Sequence, residues 1–480
     1  MAIAVAPPCD ETQGRQGSGT CPSQTGTLIA TVLGSSLAFV MGAIVNVALP
    51  QMQTDLGTDA AGLQWIVNSY LLPLSALVLV GSALGDRYGR KRFFMLGLWL
   101  YAAATVACVF APGLEWLLAA RAVQGLGAAL IAPNSLAILA DAFSGEERGK
   151  AVGSWAAAGA IAGAVAPLAG GVVVDWQNWR WAFAIVLPLA AAALAFGYRS
   201  IAESREDEED CAPLDIPGAV LVTLGLGAAV YGLVALPESG FAAANLGALG
   251  LGLAALAGFV VVEHKKGQKA MLPLGIFGSR SFTGISLLTL LLYAALGALL
   301  VLLPLMLINA YGYSATGAGA AMLPFPLIMG LLSRRVGGLA TKLGIRRTLT
   351  IGPVLVGAGF ALMAIMNGPE ASYWTGILPG LIVMALGMAT SVAPLTTAVI
   401  NAVADRFTGI ASGVNNAISR TAGLIATALL GFVLTGGEAD PQTLVSGFSQ
   451  TAWVCSALAF GAAACVWFLV DESEVREGDR

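Results

Sequence analysis

Long apolar runs alternate along this chain with short polar breaks, and the runs are each about as long as a membrane-crossing helix. A helix rises ~1.5 Å per residue, so about 20 apolar residues cross roughly 30 Å of hydrocarbon. Such runs fall near 27–49, 63–84, 93–111, 116–140, 151–174 and 181–199, then as a pair near 214–236 and 244–263. Six more lie near 282–309, 317–333, 348–367, 375–400, 409–434 and 448–470. Backbone in lipid must satisfy its own hydrogen bonds, so the runs are helices rather than open strands. The pattern predicts an all-α membrane protein with fourteen spans.

Composition agrees. Of 480 residues, 57% are apolar and 11% are charged, against roughly 25% charged in a soluble domain. Too few charges are present to coat two or three soluble domains. The 60 glycines suit helices that pack closely in a membrane. The six cysteines (9, 21, 108, 211, 455, 465) show no Cys-x-x-Cys spacing, and His264 has no partner cluster. No metal site and no cofactor are expected. Residues 1–26 are polar and lack the basic start and short apolar core of a cleaved signal peptide, so the first helix is read as an uncleaved insertion signal.

The basic residues orient the spans. Of 24 Lys and Arg, Arg121 and Arg420 fall inside spans and Arg180 falls in an odd-numbered loop. The other 21 sit in even-numbered loops or the termini, as the positive-inside rule predicts for two cytoplasmic termini. Trp65, Trp116, Trp176, Trp179 and Trp374 fall at the opposite ends, where an aromatic belt would sit.

One loop is repeated. Leu84-Gly85-Asp86-Arg87-Tyr88-Gly89-Arg90-Lys91-Arg92 and Leu339-Ala340-Thr341-Lys342-Leu343-Gly344-Ile345-Arg346-Arg347 share Leu, Gly and basic positions at a constant offset of 255. Both join the second and third helices of a six-helix block once the pair 214–263 is set aside as an insertion. Parallel repeats about an axis along the membrane normal follow. The expected organisation is a cytoplasmic tail (1–26), a six-helix bundle (27–199), a linker with two extra helices (200–281), a second six-helix bundle (282–470) and a cytoplasmic tail (471–480).

Further motifs follow in order: Ile44-Val45-Asn46-Val47-Ala48-Leu49-Pro50, Arg121-Ala122-Val123-Gln124-Gly125, Gly159 to Gly163 with Pro167 and Gly170-Gly171, Trp179-Arg180-Trp181, and Pro273 through Phe282. Together with the loop at 86–91 they resemble the major facilitator superfamily, and within it the fourteen-helix drug:proton antiporters of the multidrug-efflux type. The resemblance covers nearly all of the chain after residue 27. Ser82 and Ala166 stand where the family usually has Gly, and Thr341 replaces the Asp of the second loop copy.

Asp86, Arg87, Gly89, Arg90 and Lys91 form a candidate conformational latch, because a carboxylate there can cap a helix and pair with Arg until transport breaks the contacts. They could instead serve only as topogenic charges. An intramembrane Arg marks a pathway or a buried partner, so Arg121, Gln124, Arg420 and Asp141 form a candidate proton or substrate pathway. Snorkelling to the interface near Glu115 and Trp116 is the plainer account of Arg121. In the family, as the resemblance implies, this Arg serves proton transfer and substrate response. The small residues Gly159, Gly163, Gly170 and Gly171 with Pro167 let span 5 pack closely and bend. The resemblance implies a role in antiport and in sealing the two halves.

One expected group is missing. The resemblance implies a carboxylate in span 1, five residues before Asn46, but Met41 stands there. Asp86, Asp141, Asp175, Asp215, Glu263 and Asp405 all fall at helix ends or in loops. Coupling could use Asp141 or Asp86 with Arg121, or the protein could be an uncoupled facilitator, or coupling could be lost. Without a central negative charge, neutral or anionic substrates gain over lipophilic cations. Met41, Asn46, Asn68, Asn309, Asn415 and Asn416, with Asn401, are candidate cavity residues.

The resulting expectation is a secondary exporter of small drug-like molecules working by alternating access, monomeric and in the bacterial inner membrane. Its partners are a small-molecule substrate and the bilayer, with protons as candidate co-substrate and no nucleic acid. The rivals are an uncoupled facilitator or importer and a non-transporting receptor or scaffold. The short loops disfavour the receptor. Enzymes are disfavoured because no His, Cys or carboxylates cluster in the spans, and no phosphate-binding loop is present. Orientation is testable with alkaline phosphatase fusions. A fusion after Arg480 should be inactive and one inserted after Trp176 active; the reverse pattern would invert the topology.

Overall fold

The computed structural model describes residues 23–205, 215–267, 270, 272–368, 371–404, 407–434 and 441–475, with side chains at all of these except 145–146, 238, 333–342 and 434. Arg15, Cys9, Cys21, Cys211, the acidic run 206–210, Asp405 and the tail after 475 lie outside the described residues, as do the side chains of Thr341 and Lys342.

The helices are α1 Gln24–Leu56, α2 Ala60–Tyr88, α3 Arg90–Val109, α4 Leu114–Ala142, α5 Gly145–Trp176, α6 Trp179–Ala184, α7 Leu187–Ser200, α8 Ile216–Ser239 and α9 Ala243–Lys266. They continue as α10 Arg280–Asn309, α11 Ala315–Met322, α12 Pro324–Leu343, α13 Ile345–Met366, α14 Leu378–Asn401, α15 Thr408–Leu429, α16 Gly431–Leu434, α17 Pro441–Leu469 and α18 Glu472–Val475. Fourteen segments of the described residues are long and apolar enough to cross a membrane. Four of them join two helical segments: α6 with α7, α11 with α12, a π-helical turn Tyr373–Ile377 with α14, and α15 with α16. Side chains that accept from the first free amides start several helices, among them Ser23, Asp59, Asp215, Ser279 and Ser314. Trp99, Phe110, Leu331 and Phe468 are exposed, as lipid-facing positions must be.

Helices α1 to α7 pack as one bundle, with α2 and α3 on α4 and with α5 and α7 on α1. A second bundle sets α10 against α15 and α17, α13 against α14 and α17, and α12 against α14. The pair α8–α9 packs as a hairpin outside both, and α8 touches α2 of the first bundle and α15 of the second. Leu226, Val230 and Val234 of α8 share one apolar cluster with Ala76 of α2 and with Leu424 and Ala428 of α15.

The bundles meet where α5 crosses α11, α2 follows α15, and α1 touches α10. At α5–α11 the contact is reciprocal. A Cβ added to Gly171 would stand 2.3 Å from Ala315 O, and one added to Gly319 would stand 2.2 Å from Pro167 O. Only hydrogen fits on either side. Just beyond, Asp175 at the end of α5 accepts from Ala315 N (3.0 Å) and Thr316 N (2.8 Å). A carboxylate from one bundle thus caps the first helix turn of the other. Toward the basic loops α5 is open, and a Cβ on Gly149, Gly153 or Gly163 would meet nothing within 4 Å. Along α2–α15 contact is held by Gln64, oriented to donate to Ala428 O (2.9 Å) and accept from Gly431 N (3.0 Å).

Two aromatic positions differ from expectation. Trp116, Trp176 and Trp374 are exposed, but Trp179 is fully buried. Its indole donates to Asp55 Oδ2 at 2.8 Å, which Arg180 also reaches at 2.7 Å. Trp65 is half-buried and faces Tyr231 of α8. An available carboxylate and a packing partner outcompete the interface at these two sites.

The seam yields a contrast. Gly171→Val overpacks the α5–α11 contact and should cost about 1–3 kcal/mol, lowering the thermal unfolding midpoint. Gly163→Val, which enters open space, should leave the midpoint nearly unchanged.

Candidate functional site: a cationic seam between two bundles

Arg121 lies in α4, only 1% exposed. It does not snorkel. Its Nε donates to Ile66 O (3.1 Å) and its Nη1 to Gln124 Oε1 (2.7 Å). Gln124 passes the chain on, donating to Thr105 Oγ1 (2.8 Å), which in turn donates to Tyr101 O (2.7 Å). The three-residue spacing of Arg121 and Gln124 puts them on one helix face. The guanidinium stands over the Tyr70 ring at 4.4 Å, and among the described residues no carboxylate pairs with it. Close by on α2, the Tyr70 hydroxyl and both polar atoms of Asn68 are buried without a partner.

Arg420 approaches from the second bundle. It is half-buried in α15 and its guanidinium lies 5.6 Å from the Phe39 ring centre on α1. Its charge acts on the Tyr70 hydroxyl of α2 and the Tyr293 hydroxyl of α10. Phe39, Gly42 and Asn46 recur on one face of α1, and a Cβ on Gly42 would meet nothing within 4 Å. Gly159 of α5 borders the same face, 3.3 Å from Phe39 Cε2 when a Cβ is added. The seam here therefore has an aromatic wall, open space and Arg420, with Arg121 enclosed in the first bundle against Tyr70.

The remaining cavity candidates separate. Met41 is fully enclosed and does not face open space, and Asn46 is 7% exposed. Asn415 accepts from Thr289 Oγ1 (2.6 Å), tying α15 to α10, while Asn416 is exposed one position on. Asn309 is exposed at the last residue of α10, away from the seam. Asn401 donates to Val475 O (3.2 Å) at the end of α14. Asn309 and Asn401 are the last residues of their helices.

At the basic end Arg90 joins three helices. It reaches Asp86 Oδ1 from Nε and Nη2, both at 2.8 Å, and both oxygens of Asp141 from Nη1 at 2.7 Å. Asp141 thus stands with Asp86 and Arg90 rather than beside Arg121. Arg87 is exposed over the Tyr88 ring, and Lys91 Nζ donates to Ile201 O (2.5 Å). Gly89 adopts φ 119°, a conformation that side chains rarely take. There Glu203 accepts from Lys91 N (3.0 Å).

The second loop copy repeats this device. Gly344 adopts φ 88°, and Glu472 accepts from Ile345 N (2.8 Å) and Arg346 N (3.0 Å). In each bundle a carboxylate just after the sixth helix caps the third. By sequence Asp175 is placed only at a helix end, and neither Glu203 nor Glu472 is singled out. The available signal was a Glu at the same place after each six-helix block.

Two parallel six-helix bundles closing on a seam with buried polar groups define a polytopic membrane transporter. The profile described as Major Facilitator Superfamily matches residues 31–428 and, in a second match, 285–479. The chain belongs to this family, whose members transport and are not enzymes. It is 33% identical over 411 residues to multidrug resistance protein Stp of Mycobacterium tuberculosis (strain CDC 1551 / Oshkosh), covering 85% of this chain and 75% of that one. It is 32% identical over 470 residues to the puromycin resistance protein pur8 of Streptomyces alboniger, covering 94% and 92%. The crystal structure of the POT family transporter PepTSo shares the fold, with a TM-score of 0.71 at 16% identity over 95% of this chain and 99% of that one.

Arg90→Gln should leave Asp86 and Asp141 without their shared cation and cost about 1–3 kcal/mol in thermal or denaturant unfolding. Adding Asp141→Asn should recover part of that loss, and simple additivity of the two would show that the residues do not interact.

Proposed function

We propose that this transporter exports small amphipathic molecules whose polar part is neutral or anionic, by alternating access between its two bundles. The observation carrying this reading is the seam itself, where Arg121 and Arg420 approach Tyr70 and no carboxylate is paired with Arg121 among the described residues. A lipophilic cation entering there would meet two like charges, whereas an anionic group would gain charge-assisted hydrogen bonds. Export as the direction is supported by the resistance relatives. The basic loops support placing both termini in the cytoplasm of a bacterial inner membrane. The α5–α11 contact then lies on the outer side, and the Asp86–Arg90–Asp141 cluster on the inner. A single chain supplies both halves of the seam, which supports a monomer.

Proton coupling is part of this proposal, with the proton gradient supplying the free energy for export. An uncoupled facilitator is the second reading, favoured by the enclosed Met41 at the position where a coupling carboxylate would stand.

Proteoliposome flux with matched amphipaths tests both. Transport of a carboxylate-bearing compound should exceed that of its quaternary ammonium analogue. Arg420→Ala should cut the anion's apparent affinity about tenfold, near 1.4 kcal/mol, and spare a neutral analogue. Preference for the cation would overturn the substrate assignment, and substrate movement without proton movement would select the facilitator.

A further inference from the structure

The inserted hairpin carries ionisable groups that the seam does not use. Asp215 caps α8, with Oδ1 accepting from Gly218 N at 2.7 Å. Glu263 and Lys266 lie one turn apart at the end of α9, which runs antiparallel to α8 and ends beside its start. Lys266 Nζ reaches Asp215 Oδ1 at 2.5 Å. Glu263 is fully buried, and its Oε2 accepts from Leu272 N at 2.6 Å. Each carboxyl then has one oxygen left over. Asp215 Oδ2 and Glu263 Oε1 are both buried and without a partner.

These two oxygens face the same small space. A Cβ on Gly218 would stand 2.6 Å from Glu263 Oε1 and 2.8 Å from Asp215 Oδ2. Two bare carboxylate oxygens in such a place repel, and a buried unpaired charge is expensive. Charge balance shows the remedy. Lys266 offsets one carboxylate, and one proton on the second makes the group neutral. Among the described residues no other titratable side chain enters. His264 and Lys265 are exposed neighbours on α9, and α2 faces the start of α8 with Leu77 and Val80. The part of α15 that touches α8 presents Leu424 and Ala428.

We propose that Asp215 and Glu263 form one proton-binding site, holding a single proton between Asp215 Oδ2 and Glu263 Oε1, and that losing it loosens the inserted hairpin. The proton leaves to water past Lys266, the half-exposed member of the group. Two facing carboxylates then share one ammonium, and the start of α8 is driven from the end of α9. Room exists for that movement, since an apolar crevice of about 310 Å³ opens at Asp215 between α2 and α8. Because α8 packs on both bundles, its position bears on how they move together. That functional consequence, though not the proton itself, rests on the transport reading above.

Infrared titration of the full chain in lipid nanodiscs tests the site without any substrate. Wild type should show a protonated-carboxyl band that disappears as pH rises, and Glu263→Gln should lack it. The amide can still accept from Leu272 N and can donate to Asp215 Oδ2 in place of the proton, so that variant should fold. Asp215→Asn should move the band's midpoint to lower pH, because Glu263 then pairs with Lys266. Lys266→Ala should move it up by about one unit or more. Transport by wild type should vary with pH on the basic side, and Glu263→Gln should be pH-independent there. A band unchanged in Glu263→Gln, or an unmoved midpoint in Lys266→Ala, would overturn the proposal. Export without the band sinks only this site, and the band without export sinks only the export reading.

Discussion

Between α5 and α11 there is no room for a side chain. Gly171 lies against the Ala315 carbonyl and Gly319 against the Pro167 carbonyl, so two backbones from different bundles touch directly. Close backbone approach is how helices gain attraction in a solvent as apolar as their own side chains. The contact is strong in fit and short in length. It holds the bundles at one end while α5 is open toward the basic loops, and the cations of the seam lie between these regions. Asp175 adds a charged contact to the start of α11. Closure at that end therefore rests on a few atoms of exact fit rather than a broad apolar surface.

The seam's electrostatics follow from the same economy. A buried guanidinium with no carboxylate partner among the described residues is held by Ile66 O, Gln124 and the face of Tyr70, all of them neutral. Neutral partners solvate a charge without cancelling it. Arg121 therefore carries its charge inside the first bundle against Tyr70, and Arg420 brings a second cation from the other bundle to Phe39. Met41 fits this account, since an enclosed apolar residue lets the positive potential stand.

The fourteen spans were legible because hydrocarbon thickness imposes a length that few other constraints mimic. The loop at 84–92 and its copy at 339–347 were legible as well, since charge and glycine recur at fixed spacing. Depth along a helix could be read, but direction around it could not. Arg121 falls inside a span by sequence alone, yet its inward aim and its link to Gln124 emerge only from packing. Asn309 and Asn401 are grouped with the cavity by residue type, and the structure places both at the last residue of a helix. Glu263 shows the limit most plainly. One residue from a solvated His264, it is completely buried because α8 and the segment at Leu272 close over it. No local pattern encodes that cover.

The duplicated caps have a mechanical meaning. In each bundle the chain leaving the sixth helix is tied back to the third, by Glu203 at Gly89 and by Glu472 at Gly344. A pull on the connecting segment then enters the bundle through the start of its third helix instead of peeling away the last one. Each half behaves as a laced block with its loose end tucked in. A rocking machine benefits from this, because torque between two laced blocks turns them as wholes and is not lost in fraying at their edges.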